Sequence, residues 1–184
     1  MARKIKYSKE DILEKSIDFI KEYGYSKLTV RELAKYIGCS TQPIFKNYSN
    51  FDEYKVDLKK YLRKDYESFI YKIVDKEDYL YTISYAYALY AKKEPNIFFS
   101  MFMADLAGSR TIRQVLDTDR NKVTIEAMTK QYKISIEKAE KVYQDVRFYT
   151  HGMAAQLCVK SIKLSDKELQ ELIKNNIKIN LRGN

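Results

Sequence analysis

Three times in this chain a capping residue is followed three positions later by a glutamate, at Thr29/Glu32, Asn50/Glu53 and Ser165/Glu168, and each pair heads a segment with apolar residues at helical spacing. In such an arrangement the first side chain accepts the amide hydrogen of the fourth residue, and the carboxylate can reach back to the first amide. Donors that a helix start leaves open are thereby satisfied locally. The pattern commits long stretches of the chain to helix. Five glycines and two prolines are too few to punctuate a sheet protein built on many turns. The chain reads as all-α.

Residues 8–23 carry Leu13, Ile17 and Ile20 on one stripe, widened by Ile12 and Phe19, and Gly24 ends the segment. The Thr29 cap starts a short helix over 30–37. Gly38 supplies the positive φ that stops it, Cys39 fits the bend, and Ser40 is placed to cap a third helix ending near Tyr48. Pro43 then falls at the third helical position, where its missing N–H removes no intrahelical bond. From Asn50 a long fourth helix shows Leu58, Leu62, Tyr66, Phe69 and Ile73, and the polar run at 75–78 closes it. A fifth helix is expected over 79–92 and a sixth, apolar nearly all round, over 96–107. Two longer helices follow over 109–131 and 135–163, and the last carries Leu169, Leu172, Ile173, Ile177 and Leu181.

The formal net charge is +9, and the basic excess is somewhat denser in the first third. Such a balance attracts polyanions. Cys39 and Cys158 form no CxxC pair, which speaks against a disulfide scaffold or a zinc site and for a reducing cytoplasm. No run approaches the roughly 20 apolar residues of a membrane span, and the first residues lack a signal peptide's apolar stretch. A single histidine, with no nucleophile elbow, phosphate-binding glycine loop or metal-ligand cluster, argues against an enzyme. The expectation is a soluble, cytoplasmic protein with no cofactor and no metal.

Two short helices separated by a glycine turn and braced by a preceding helix make a helix-turn-helix, whose second helix enters the major groove of DNA. Leu33, Ala34, Ile37, Ile44 and Tyr48 form the inner face. Thr41, Gln42, Lys46 and Asn47 face outward. Glutamine and asparagine pair bidentately with adenine, lysine reaches phosphate or guanine, and the Thr41 methyl or the Pro43 ring fits a thymine methyl. Thr29, at a helix start, is a phosphate contact, and Arg3, Lys4 and Lys6 form an arm toward the backbone or minor groove. The rival reading is a helical interaction or adaptor protein without sequence-specific DNA binding.

Residues 12–58, with the aromatic-Gly-Tyr at 23–25, the Thr29 cap, Leu33-Ala34, Gly38 and Ser40 in order, resemble the N-terminal domain of tetracycline-repressor (TetR) family transcriptional regulators. The resemblance implies a DNA-binding head over 1–50 and a helical effector-binding and dimerisation body over 51–184. It also implies a homodimer on a palindromic double-stranded operator, most often repressing, released by a small molecule. Relative to the family's usual pattern, Phe45 stands for tyrosine, Asn47 for histidine and Phe51 for lysine, so a phenolic hydroxyl and a cation that commonly hold phosphate are missing. Lys46, Asn47, Tyr48 or the amides at the start of helix four are the expected substitutes, and Phe45 stays among the candidate DNA-binding residues. Thr150-His151-Gly152 is faintly similar to the Trp-His-Gly signature of one subgroup's effector domain. Tyr85, Phe98, Phe99, Phe102, Met103 and Tyr149 are the candidate walls of a pocket for a small apolar or aromatic effector. Gly152, Ala154 and Ala155 permit close helix approach, in a dimer or within the chain.

Overall fold

The computed structural model describes residues 7–104, 106 and 108–183. Among them lie α1 (Lys9–Tyr23), α2 (Val30–Ile37), α3 (Gln42–Asn47), α4 (Phe51–Tyr71), α5 (Tyr79–Lys93), α6 (Pro95–Phe102), α7 (Ile112–Leu116), α8 (Asp119–Tyr132), α9 (Ile136–Cys158) and α10 (Asp166–Arg182), with no strand. The all-α reading holds. The expected arm residues Arg3, Lys4 and Lys6 lie outside the described residues.

Local chemistry accounts for most helix ends. Ser165 and Glu168 close a full capping box, whereas at Thr29 only the threonine half forms, its Oγ1 accepting from the Glu32 amide. Five boundaries differ from expectation, the first being the end of α4 at Tyr71, short of Ile73. The helix expected over 109–131 is two: Thr111 and Gln114 cap the short α7, and the Asn121 amide then donates to the Val115 carbonyl, so the chain turns at Asp117 and α8 starts afresh. No glycine or proline marks that turn, which hides it from a breaker-based reading. α6 stops at Phe102 because the amides of Met103 and Ala104 converge on the Phe99 carbonyl. α9 stops at Cys158, just ahead of Lys160, which adopts the left-handed conformation at φ 58°. α3 starts at Gln42, so Pro43 sits at its second position and Thr41, not Ser40, is the cap residue, without a side-chain cap bond.

The chain divides into two compact units, residues 1–66 with 96–107 and residues 67–95 with 108–184. In the first, α1 packs on α2 and α3 over a core that includes Ile12, Ile20, Leu33, Ile44, Tyr54, Leu58 and Leu62. This core holds one polar chain: the Tyr54 hydroxyl donates to Ser16 Oγ at 2.7 Å, and Ser16 donates to the Ile12 carbonyl. Because every group in the chain is satisfied, it ties α4 to α1 without a burial penalty. Tyr54→Phe removes one donor and leaves Ser16 its own donor bond, so urea unfolding is expected to show a loss of about 1 kcal/mol. An unchanged midpoint would mean that water replaces the bond. Also within this unit, Asn96 Nδ2 donates to the Lys21 carbonyl at 2.8 Å, and the Phe102 ring meets Tyr66 and Phe98 at 5.1 and 5.0 Å.

In the second unit α5 packs along α9, with α8 and α10 beside them. Ala86, Ala88, Ala91, Ala139 and Ala154 are fully buried, and such small side chains allow helices to approach closely. Arg120 pairs with Glu67 at 2.8 Å, and Lys92 is held by the Leu164 carbonyl and Asp166. The lone histidine is structural in its contacts: His151 Nδ1 meets the Tyr87 hydroxyl at 2.8 Å. Burial, and then the Arg147 charge, lower its pKa below the ordinary 6.5, so the neutral imidazole is favoured at neutral pH.

Apolar side chains stay exposed on two helices of this unit. Along α9 and its cap residue, Phe148 (56 % exposed), Gly152, Ala155 and Val159 (55 %) recur at four-, three- and four-residue spacing, and on α10 Leu172 and Ile179 (68 %) are exposed. Ala154, by contrast, is buried inside the unit and has no part in that face.

Candidate nucleic-acid interface

The turn between α2 and α3 is made by Gly38, whose φ of 78° and ψ of 32° lie in the left-handed region that glycine adopts without a steric penalty. Its N–H reaches the carbonyls of Ala34 and Lys35, and the Cys39 N–H bonds the Ala34 carbonyl, so the α2 carbonyls are closed and the chain reverses at once. Ile44 and Tyr48 then fall inward, each 2 % exposed, as Leu33 and Ala34 of α2 are buried. The period of α3 therefore sets Gln42, Phe45, Lys46 and, just past its end, Ser49 outward, and all four are exposed. Phe45 is 57 % exposed. Thr41 and Pro43 are half-buried at the flank.

Two expected contacts turn inward instead. Asn47 Nδ2 donates to the carbonyls of Tyr7 at 3.1 Å and Pro43 at 2.8 Å, so its amide group fastens the segment before α1 to α3. Tyr48 is core: its hydroxyl is buried, and burial, with the Asp57 and Glu53 charges behind it, pushes its pKa up to about 12. Lys9 Nζ lies 4.5 Å from the centre of its ring. A side chain so enclosed is not presented to a ligand, which corrects the reading of Tyr48 as a contact residue.

The start of α4 is likewise closed by its own side chains. Asn50 Oδ1 accepts the Glu53 amide at 2.8 Å, while the Glu53 carboxylate accepts the Ser49 amide at 2.9 Å and Lys9 at 3.2 Å. The Ser49 amide, then Lys9, hold the Glu53 carboxyl below the ordinary carboxylate range. Phe51 stacks on Tyr54 at 5.2 Å, and the Lys55 ammonium sits 5.0 Å from its ring centre while pairing with Asp52 at 3.0 Å. Ser49 and Glu53 amides are thus already bonded, and two carboxylates face the approach. These placements leave Lys46 as the cation of the exposed α3 face.

Thr29 is exposed at the start of α2, and its Oγ1 accepts from the Glu32 amide at 3.1 Å. Arg31, exposed in the first turn of α2, is a cation that the motif reading passes over. Its place two residues after the Thr29 cap is the signal for it.

The six candidate effector residues separate by unit. Phe98, Phe99, Phe102 and Met103 lie in the first, where Phe98 is fully buried core and Phe99 and Met103 are exposed; Tyr85 and Tyr149 lie in the second. Tyr85 stacks on Tyr81 there at 6.2 Å. The second unit also has a cavity of about 120 Å³ lined by Arg113, Leu116, Asp117, Lys122, Ile125, Glu126, Ile136 and Glu140, none of which is a candidate effector residue. Arg113 is paired there with Asp117 and Glu140.

Among the described residues no group of three or more His, Cys, Asp or Glu is arranged to hold a metal, and no helix is long and apolar enough to cross a membrane.

A three-helix head with a left-handed glycine between its second and third helices, and a bundle of longer helices, make up an all-α fold. Over 99 % of its length the chain is similar to the solved structure of a TetR-like transcriptional regulator from Rhodococcus sp. RHA1, covering 100 % of that chain with a TM-score of 0.66 at 11 % sequence identity. At the level of sequence, neither protein-family models nor curated proteins give a match.

Proposed function

We propose that this protein is a DNA-binding transcriptional regulator, a repressor that binds a palindromic operator as a homodimer and is released by a small molecule. The observation that carries the reading is the short exposed helix behind Gly38, with Gln42, Phe45 and Lys46 on one face and no acidic side chain anywhere from 33 to 51. A surface of that kind suits a polyanion bearing base edges, and the net charge of +9 works in the same direction. The proposal assigns DNA reading to residues 1–50 and effector binding and dimerisation to 51–184. Dimerisation falls to the open stripe of α9 with the exposed residues of α10, because a two-fold dimer pairs the same patch on both copies and delivers two heads to two half-sites.

Selection from a random-sequence duplex library, followed by footprinting of the recovered sites at moderate salt, tests the reading. The expected product is a discrete palindrome bound with nanomolar affinity that weakens as salt rises. Recovery of no discrete sequence would sink it and leave the adaptor reading in its place.

A further inference from the structure

Phe45 is an apolar ring, 57 % exposed, in the middle of a face whose other members are polar or charged. Its neighbours on that face are Gln42 one turn before, Lys46 beside it and Ser49 one turn after, and none of them covers it. Elsewhere in the head Phe19, Ile44 and Tyr48 are buried, and the exposed Tyr23 and Tyr36 pack their rings on Phe19 and on each other. The outward course of Phe45 is fixed by the helical period once Ile44 and Tyr48 are inside. A phenyl ring makes no conventional hydrogen bond, so whatever it meets must be recognised by apolar contact.

From this placement we infer that Phe45 is a specificity-determining residue that reads the C5 methyl group of thymine in the major groove. The inference rests on the DNA-binding reading of α3 and adds to it the base that this position selects. Along base-pair edges in the major groove the thymine methyl is the apolar group on display, and an aromatic ring is among the side chains that pack on it. The absence of acidic residues from 33 to 51 lets the ring approach duplex DNA, and Lys46 next to it supplies the attraction to the backbone. Gln42, one turn away, pairs with adenine, so the two side chains together select an A·T-containing step in each half-site.

The probe is the duplex recovered from the random library, with each thymine of a half-site replaced in turn by deoxyuridine, which keeps base pairing and removes only the methyl. At one position or two per half-site, binding by the unaltered protein is expected to weaken about fourfold per methyl, and about fifteenfold when both half-sites are changed. Phe45→Ala binds the thymine and deoxyuridine duplexes alike at that position. Because the residue is exposed, its melting temperature stays that of the parent, which excludes a folding defect. The inference is overturned if no thymine is sensitive to loss of its methyl, or if Phe45→Ala remains as sensitive as the parent. Failure to recover any discrete site would instead overturn the DNA-binding reading, and this inference with it.

Discussion

Replacing Gln42 and Lys46 together with alanine is expected to weaken operator binding on the order of a hundredfold or more while helical content and dimer mass stay unchanged. Both side chains are exposed on the outer face of α3, and neither supports the core that Ile44 and Tyr48 build from the other side. Loss of a bidentate contact costs about 1–3 kcal/mol, and a symmetric dimer loses it twice. The lysine signs its contribution differently. If it neutralises a phosphate, Lys46→Ala alone lowers the slope of log affinity against log salt by about two per dimer, at roughly 0.9 for each phosphate released. Titrations of a labelled operator at several salt concentrations read both quantities. Binding by the double variant within a few-fold of the parent would show that α3 is not the reading helix.

Much of the head was legible because its determinants are local. Gly38 between two short apolar patterns could only be a turn, and the spacing of Leu33, Ala34, Ile44 and Tyr48 assigned their inward direction before any contact was known. What the residues do to one another across the head was not legible. Asn47 carries the same chemistry as an adenine reader, yet its amide is taken up by the carbonyls of Tyr7 and Pro43, the first of them 40 residues away in sequence. Lys9 counts as one more basic residue in the sequence; in the fold it is spent on Glu53, Asp57 and the face of Tyr48. The Phe51 position follows from the same cause. A phosphate grip is not simply missing there, since Asn50, Glu53 and Lys9 have closed the corner with their own hydrogen bonds, and Phe51 with Lys55 caps it. Composition and period report which face a side chain takes, and only tertiary pairing decides whether its polar atoms remain available.

Further along the chain the local signals thin out. The break at Asp117 has no glycine or proline and depends on an asparagine side chain replacing a backbone bond, which no periodicity reveals. Small residues in α9 were ambiguous in the same way: glycine or alanine permits close approach to any neighbour. The structure separates them, with Ala154 packed inside its unit and Gly152 turned out among Phe148, Ala155 and Val159.

That separation leads to the largest expected effect. Phe148→Glu places a carboxylate at the head of the open α9 stripe, and in a two-fold dimer the charge enters the interface twice, facing its own copy or apolar neighbours. The expected result is a shift of solution mass from twice 21.8 kDa to 21.8 kDa, measured by light scattering or sedimentation. Operator affinity is expected to fall about a thousandfold or more, toward the non-specific range, because one head then holds one half-site alone. Gly152→Arg provides the control for folding. A Cβ at Gly152 meets no atom within 4 Å in its own chain, and arginine is a better helix former than glycine, so the isolated subunit keeps or gains stability while a partner helix is pushed away. If both variants remain dimers with parental operator affinity, the pairing surface lies elsewhere than on α9. If they become monomers yet still bind the full palindrome as tightly as before, the geometric link between two-fold symmetry and half-site spacing fails for this protein, and each head must reach its specificity alone.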